Sequence, residues 1–416
     1  MREMKDSGIE WVGTIPAHWS TMPNKYVMRK IKVINPTYNG ENILSLTVNG
    51  VIVRDLEAGG KMPSSFDGYQ ILYKGNLLMC LFDYDVTPRC IGLIKDSGVS
   101  SPAYSQFVLQ GGNDAAYFYY YYLMVDHTKA LLHRAKNLRH SFTEEQLGAI
   151  KVPVPPIAEQ ERIADFLDSQ CSQIDAISAD IQKEIETLEQ YKRSLVFEAI
   201  SKGINGEKTA NASSDIWKEI PQSWKLVDIK YLFEIVKRIA GREGYNILSV
   251  TQKGLKVKDI SGNQGQIAEN YSGYQFVFPS DYVMNHMDLL TGWIDCSDQF
   301  GVTSPDYRVF RLRDKTQNDT EYYKYVMQCC YMCRIFYSLG QGVSTLGRWR
   351  LQTSAFMNFK VPVPPLHEQK EIARYLNDKC KEIELSIEQK RKQLELLSSY
   401  KKSLIYEYVT GKKEVI

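Results

Sequence analysis

The sequence consists of two copies of one pattern, and this repeat limits the possible folds more than any other feature. The segment IPAHW at 15–19 returns as IPQSW at 220–224, an offset of 205. KVPVPPIAEQERIADFLD at 151–168 returns as KVPVPPLHEQKEIARYLN at 360–377, an offset of 209. Half of 416 residues is 208, so two copies account for nearly the whole chain. Such self-similarity predicts one fold used twice, with surface loops that differ.

Each copy divides into a mixed part and a helical part. Residues 1–150 and 210–359 contain short β-type runs such as NILSLTV between Gly, Asn and Asp clusters, which is typical of an α/β domain. After PVPP, apolar residues recur at steps of three and four, which predicts a narrow seam of the coiled-coil kind. The predicted seam residues are Ile163, Phe166, Leu167, Ile174, Ile177, Ile181, Ile185, Leu188 and Leu195, then Ile372, Leu376, Ile383, Ile387, Leu394, Leu397 and Leu404.

A single amphipathic helix cannot bury its own seam, so the two long helices are expected to pair with each other. The predicted fold is therefore α+β, with two α/β domains separated by a long antiparallel two-helix coiled coil and related by an internal pseudo-twofold repeat. We place the domains at 1–152 and 206–361, and the helical spacers at 153–205 and 362–416. The Gly- and Ser-rich segment 201–215 is predicted to be a linker between the copies.

Composition excludes several classes of protein. Hydrophobic residues make up 44% and charged residues 24%, as in globular proteins, and the net charge of +2 does not reveal where charges lie. No apolar run reaches the roughly 18 residues of a membrane span, and the charged start resembles no secretory signal. Eight scattered cysteines favour reduced thiols, so a cytoplasmic location is expected. Cys330 and Cys333 form a lone C-x-x-C, which we interpret as helix packing, since no second pair completes a zinc site.

Several motifs together resemble one known family. SGIEWVGTIPAHW lies near the start, V-P-V-P-P followed by E-Q and I-A occurs at 152–164 and 361–373, and a long helix follows each. These features are similar to the specificity subunit of type I restriction–modification systems over essentially the whole chain. In that family an Arg–Leu pair often lies shortly before PVPP. Arg350–Leu351 matches it, whereas Leu138–Arg139 is inverted.

The resemblance implies a function. Each α/β domain would be a target recognition domain for one half of a bipartite, asymmetric DNA sequence, and the helices would form the spacer and bind methyltransferase subunits. The chain would be a non-catalytic subunit of a DNA adenine methyltransferase or type I restriction complex. Its expected partners are double-stranded DNA, two methyltransferase subunits and, in a restriction complex, two restriction–translocase subunits, with no membrane. S-adenosylmethionine, ATP and Mg²⁺ are expected on those partner subunits and no cofactor on this chain.

Candidate DNA contacts follow from residue type. Base edges and phosphates are contacted by Arg, Lys, Asn and Gln side chains, and an aromatic ring can stack or wedge. For any single residue of this kind, ordinary surface solvation is an equally good interpretation. The candidates in the predicted loops are Arg54, Lys61, Arg134, Lys136, Arg139, His140, Lys253, Lys256, Lys258, Asn285, His286, Gln341, Arg348, Trp349 and Arg350. We predict no catalytic residue and no metal ligand.

A run of tyrosines and one segment that differs between the copies also bear on DNA contact. The run Tyr117–Tyr122 could stack on bases, but on a helix its rings point all round, so core packing is favoured. Asn285–Asp288 aligns with Cys80–Asp83 in the other copy but differs in polarity, as expected where two domains read different half-sites.

Two other functions are possible for a chain with these features. A self-contained modification or restriction enzyme would need a methyltransferase or nuclease motif; GINGEKT at 203–209 only faintly resembles a phosphate loop, and no N/D-P-P-Y/F tetrapeptide occurs. A coiled-coil adaptor that never touches DNA would leave unexplained the basic loops that diverge between two otherwise matched domains.

Overall fold

The structure, a computed structural model, describes residues 2–57, 63–135, 140–212, 214–258, 270–342 and 349–415. The chain divides into two compact units. Unit 1 comprises Met1–Gln182 and Lys392–Ile416, and unit 2 comprises Lys183–Arg391. Each unit contains one α/β domain together with parts of both long helices. No helix among the described residues is long and apolar enough to cross a membrane.

Unit 1 contains twelve of the strands described and most of its residues lie in the first copy. Its strands are β1 (Met4–Asp6), β2 (Thr14–Pro16), β3 (Ser20–Pro23), β4 (Met28–Ile31), β5 (Leu44–Thr47), β6 (Gly50–Val53), β7 (Gln70–Leu72), β8 (Leu77–Met79), β9 (Ile91–Leu93), β10 (Gly98–Ser100), β11 (Ser105–Leu109) and β12 (Lys151–Val154). Its helices are α1 (Ala115–His127), α2 (Glu144–Ala149) and the first part of α3 (Ile157–Lys202), with short 3-10 turns at Asn24–Tyr26 and Leu132–Arg134.

Unit 2 repeats this order of elements. Its strands are β13 (Thr209–Asn211), β14 (Glu219–Pro221), β15 (Lys225–Asp228), β16 (Phe233–Val236), β17 (Leu248–Thr251), β18 (Gly254–Val257), β19 (Gln275–Val277), β20 (Tyr282–Met284), β21 (Ile294–Cys296), β22 (Gly301–Thr303), β23 (Arg308–Leu312) and β24 (Lys360–Val363). Its helices are α4 (Ile229–Leu232), α5 (Thr320–Met332), α6 (Ile335–Ser338), α7 (Thr353–Met357) and α8 (Leu366–Val409), and α8 ends in unit 1.

The two units share their strand topology. The central antiparallel sheet has the order β4-β11-β8-β9 in unit 1 and β16-β23-β20-β21 in unit 2. Each unit also has a β-hairpin, β5–β6 or β17–β18, and a two-stranded sheet that pairs the KVPV strand with an early strand, β12–β3 or β24–β15. The structure thus confirms that one fold is used twice.

The long helices pair in antiparallel fashion within each unit. In unit 1 the rings of Phe166 and Tyr408 lie 4.4 Å apart, and Lys401 Nζ lies 2.6 Å from Asp175 Oδ1. In unit 2 Lys192 pairs with Glu384 and Lys390 pairs with Glu184. Residue numbers rise on one helix as they fall on the other, which confirms the predicted antiparallel pairing.

The prediction that Ile177 lies in the seam was wrong. Ile177 is 49% exposed, whereas Cys171 and Ile174 are buried in the core of unit 1. The apolar pattern includes Ile177 at a step of three from Ile174, but the buried face follows the steps of Leu167, Cys171 and Ile174 instead. Cys171 therefore occupies a seam position. The prediction missed it because it considered only large apolar residues.

The tyrosine-rich helix lies in the core, as predicted. Tyr117 and Tyr121 of α1 are fully buried, and Tyr120 and Tyr122 are nearly so. Cys330 of α5 and its neighbour Cys329 are fully buried, and Cys333, which ends the helix, is half-buried. These positions confirm helix packing for Cys330 and Cys333. Within the described residues no cluster of three or more His, Cys, Asp or Glu side chains could hold a metal ion.

The interpretation of residues 201–215 as a linker was wrong in part. Helix α3 continues to Lys202, and Thr209–Asn211 forms β13, which pairs with β14 of unit 2. The turn between them needs glycine because Gly203 has φ +73° and a Cβ there would lie 3.2 Å from the Trp224 ring. The polar composition of 201–215 suggested a loop. Strand β13 forms because its backbone pairs with β14, and such pairing cannot be inferred from the polarity of the side chains.

Candidate nucleic-acid interface

The recurring W and E-Q motifs meet where each α/β domain joins its long helix. Trp19 Nε1 donates to Glu159 Oε2 at 2.7 Å, and Trp224 Nε1 donates to Glu368 Oε2 at 2.9 Å. Burial acts to raise the pKa of Glu159, but hydrogen bonds from Trp19 and His18 and the charge of Arg2 leave that pKa lowered. The IPxxW and PPxxEQ segments are therefore two halves of one joint, which explains why both recur in each copy.

The glutamine of each E-Q pair completes this joint. Gln160 Nε2 donates to Pro155 O and to Asn113 Oδ1, both at 2.9 Å, and Gln160 Oε1 accepts from Asp114 N–H at 2.9 Å. Asp114 in turn caps α1 by accepting from Tyr117 N–H. One fully buried side chain thus fixes the Pro-Pro turn and the start of the tyrosine helix.

Unit 2 repeats this arrangement. Gln369 Nε2 donates to Pro364 O at 2.9 Å, and Gln369 Oε1 accepts from Asp319 N–H at 2.8 Å. Asp319 caps α5. The joints therefore hold each α/β domain rigidly, so that loops on the domain are presented by a fixed framework.

The hairpins β5–β6 and β17–β18 have the same backbone geometry. Thr47 Oγ1 donates to Gly50 O at 3.1 Å, and Thr251 Oγ1 donates to Gly254 O at 2.8 Å. The glycines have φ +96° and +94°, a left-handed conformation that disfavours side chains with a Cβ. Both loops contain two residues, so positions 48–49 correspond to 252–253.

Four predicted DNA contacts lie on these hairpins. Arg54 N–H donates to Ile43 O, and Lys258 N–H donates to Ile247 O, both at 2.7 Å, so these two basic residues occupy equivalent positions after the second strand. Lys253 in the loop and Lys256 on β18 are exposed. The same positions in unit 1 carry Asn49 and Ile52.

In unit 2, residues 286–289 and residues 349–351 are joined by backbone hydrogen bonds, and we call this place the crossing. It brings five further candidates together. Leu351 N–H donates to His286 O at 2.9 Å, and Leu289 N–H donates to Trp349 O at 3.2 Å. Gln341 and Arg350 exchange two backbone hydrogen bonds of 2.9 and 3.0 Å. The candidates Asn285, His286, Gln341, Trp349 and Arg350 therefore form one group.

Unit 1 has the same crossing with different side chains. Phe142 N–H donates to Leu81 O at 2.8 Å, and Tyr84 N–H donates to His140 O at 3.4 Å. Leu81 thus corresponds to His286, and His140 corresponds to Trp349. The alignment of Cys80–Asp83 with Asn285–Asp288 is therefore structural, because Cys80 N–H and Asn285 N–H also bond to equivalent carbonyls, those of Cys90 and Trp293.

Arg308, which the sequence did not single out, lies beneath the crossing of unit 2. It is 5% exposed, and its Nη2 donates to Leu351 O at 3.1 Å and to Thr353 Oγ1 at 3.2 Å. Its guanidinium also lies 4.9 Å from the Phe356 ring centre. Burial lowers the pKa of Arg308 to about 10, so it remains a cation at pH 7.

His286 is neutral at pH 7 in this setting. Burial, followed by the charges of Arg308 and Arg350, lowers its pKa to about 4. Within the described residues His286 Nδ1 and Trp349 Nε1 have no hydrogen-bond partner. The crossing of unit 2 therefore combines two cations with polar ring nitrogens, whereas unit 1 has Ser105 at the position of Arg308.

Comparison with known proteins identifies the family. The family model for the type I restriction modification DNA specificity domain matches residues 65–187 and 221–396. These two matches cover well over half of the chain and fall one in each copy. The chain belongs to this family.

A curated relative and a solved structure are similar to this chain. The specificity subunit of the type I restriction enzyme MjaVIII of Methanocaldococcus jannaschii is 27% identical over 285 residues, which is 64% of this chain. The match spans 63% of the length of that relative. A chain from a solved type I restriction–modification structure aligns with 96% of this chain and 99% of its own length, at 12% identity and a TM-score of 0.66, which supports the fold.

The remaining candidates lie elsewhere in this specificity-family fold or outside the described residues. His140 Nδ1 lies 3.1 Å from Asp85 Oδ2, and the Arg134 guanidinium lies 5.2 Å from the Trp11 ring centre. Both side chains thus lie against other residues of the α/β domain of unit 1. Lys61, Lys136, Arg139 and Arg348, and the inverted pair that contains Leu138, lie outside the described residues.

Proposed function

We propose that this chain is a DNA specificity subunit of a type I restriction–modification system. Each unit reads one half of a bipartite, asymmetric DNA target. The chain performs no catalysis and positions methyltransferase subunits on that target. A complex that also contains restriction–translocase subunits would cleave DNA under the same specificity.

One observation carries this proposal: the two equivalent hairpins keep one backbone geometry and the same buried first residue, while their outward residues differ. Leu44 and Leu248 begin the equivalent hairpins and are both buried. The outward positions differ, with Asn49 against Lys253 and Ile52 against Lys256. A framework that is kept while its exposed chemistry changes is expected of two modules that read different base sequences, because bases are read by side chains at groove edges.

The charges of the unit 2 sites fit a nucleic acid. Lys253 and Lys256 are exposed, and Arg350 is exposed beside the buried cation Arg308. Clustered cations of this kind attract the phosphate backbone. S-adenosylmethionine, ATP and Mg²⁺ are assigned to the partner subunits, since adenine must leave the base stack and enter a methyltransferase active site before it can be modified.

Exchange of the segment at the crossing tests the proposal. The variant carries Asn285→Cys, His286→Leu and Met287→Phe, which transplants the unit 1 residues, since Asp83 already matches Asp288. We expect altered bases in one half-site only, because the crossing belongs to unit 2 alone. Methylation sequencing of cells that express the variant with its methyltransferase provides the readout.

The control for this exchange is the reciprocal variant in unit 1, with Cys80→Asn, Leu81→His and Phe82→Met, which should affect the opposite half-site. An unchanged target in both variants, with methylation retained, would show that the crossing does not read DNA.

A further inference from the structure

The two equivalent hairpins differ in chemistry as well as in sequence. Two outward residues of β5–β6 are apolar: Val48 is 61% exposed and Ile52 is 42% exposed. At the positions of Val48 and Ile52, unit 2 carries Gln252 and Lys256. At these two positions the same backbone thus presents apolar groups in unit 1 and polar or cationic groups in unit 2, whereas Val53 and its equivalent Val257 are valine in both.

The apolar hairpin is held rigidly. Val48 O accepts from Arg89 Nη1 at 2.6 Å, and Arg89 Nη2 also donates to Tyr119 Oη on α1. On the inner side, Val51 packs so closely over Gly92 that a Cβ at Gly92 would lie 2.6 Å from Val51 Cγ2. Val48 and Ile52 are therefore exposed on a fixed support.

Unit 2 fixes its hairpin by different means. Asp295, at the position of Gly92, accepts from Leu255 N–H at 2.9 Å through Oδ2. Two different anchors thus give one backbone geometry, which leaves the outward side chains as the main difference between the hairpins.

A basic residue follows each hairpin at the same position, Arg54 in unit 1 and Lys258 in unit 2. A cation beside an apolar surface fits double-stranded DNA, where the phosphate backbone borders the groove. The apolar group that the major groove offers is the 5-methyl group of thymine. Lysine, in contrast, fits the acceptor atoms of guanine.

Resting on the proposed function, we propose that the β5–β6 hairpin recognises its half-site by packing Val48 and Ile52 against the 5-methyl group of thymine. Neither residue was among the charged and polar candidates that the sequence indicated. The hairpin would select thymine over cytosine and uracil by apolar burial, whereas its counterpart in unit 2 selects by hydrogen bonding.

Replacement of thymine by uracil tests this directly, because the two bases differ only in the methyl group. The complex of the full chain with its methyltransferase is titrated with duplexes in which each thymine of the unit 1 half-site is replaced in turn by deoxyuridine. We expect at least one replacement to weaken binding about fourfold, the effect of one buried carbon. The unit 1 half-site is the one that the exchange at Asn285–Met287 leaves unchanged.

The double variant Val48→Gln, Ile52→Lys provides the matched protein change. Glutamine and lysine occupy these two positions in the equivalent hairpin of unit 2, so the hairpin should still fold. The variant should bind thymine and uracil duplexes alike at that position. Val257→Gln, which replaces a 48% exposed valine on β18 of unit 2, is the control and should keep the difference in the unit 1 half-site.

The outcomes separate this inference from the proposed function. Equal binding of all thymine and uracil duplexes, a half-site without thymine, or a thymine preference that survives in the double variant would each overturn the inference while target-specific binding remained. Loss of methyltransferase association in the double variant, with the thymine preference kept, would also overturn it and make the hairpin a protein-docking surface. Equal binding of target and shuffled duplexes would overturn the proposed function itself.

Discussion

Replacement of Gln160 by alanine is expected to lower the free energy of unfolding of unit 1 by about 3 kcal/mol. The side chain is fully buried and makes three hydrogen bonds, to Pro155, Asn113 and Asp114. Its removal leaves the buried Pro155 carbonyl and two half-buried groups of Asn113 and Asp114 without these partners. An unpaired buried polar group costs about 1–3 kcal/mol, and a half-buried one less. Chemical denaturation followed by far-ultraviolet circular dichroism measures the loss.

The repeat supplies a second site and matched controls. Gln369→Ala should destabilise unit 2 in the same way, because Gln369 makes the equivalent bonds to Pro364 and Asp319. The exposed neighbours provide the controls, and Glu161→Ala and Lys370→Ala should change stability by less than about 0.5 kcal/mol. If the glutamine variants were as mild as these controls, the joint would not depend on the buried glutamine.

Replacement of Lys253 by asparagine and Lys256 by isoleucine is expected to weaken target binding by about tenfold or more. The variant gives the unit 2 hairpin the residues found at positions 49 and 52, so the backbone should be preserved. Both lysines are exposed and would contact base edges or phosphates. If both contact phosphates, the slope of log affinity against log salt should become shallower by about 2.

The location of these lysines allows a sharp control. Lys183→Asn removes an exposed cation from the long helix α3 and should leave target affinity unchanged if DNA contacts lie on the hairpin. Fluorescence anisotropy of the complex over a salt series measures both quantities. If the double variant bound the target with unchanged affinity and unchanged salt dependence, the hairpin would not be part of the interface.

The repeated motifs allowed much of the fold to be predicted from the sequence. Two copies, two long helices and their antiparallel pairing all follow from the apolar steps and the recurrence of PVPP. Burial of the tyrosine helix was also predictable, since six consecutive rings cannot all reach solvent or DNA. Recurrence marked the W and E-Q segments as structural, but it could not show that Trp19 bonds to Glu159.

The candidate DNA interface was less predictable, because the sequence does not show which loops lie next to each other in the fold. Arg308 lies on a strand and in unit 1 its position holds Ser105, so neither periodicity nor repetition singled it out. Arg89 supports the hairpin from a loop that is distant in sequence. Val48 and Ile52 were passed over because apolar residues in a strand pattern are ordinarily assigned to the core, and their exposure depends on the tertiary position of the hairpin.

Methylation sequencing of cells that carry this chain with its methyltransferase tests the central claim most directly. The account predicts adenine methylation at one bipartite motif, with two unlike half-sites separated by a spacer of unspecified bases. Cells with the methyltransferase alone should lack it. A single continuous motif, or methylation that does not depend on this chain, would contradict the account.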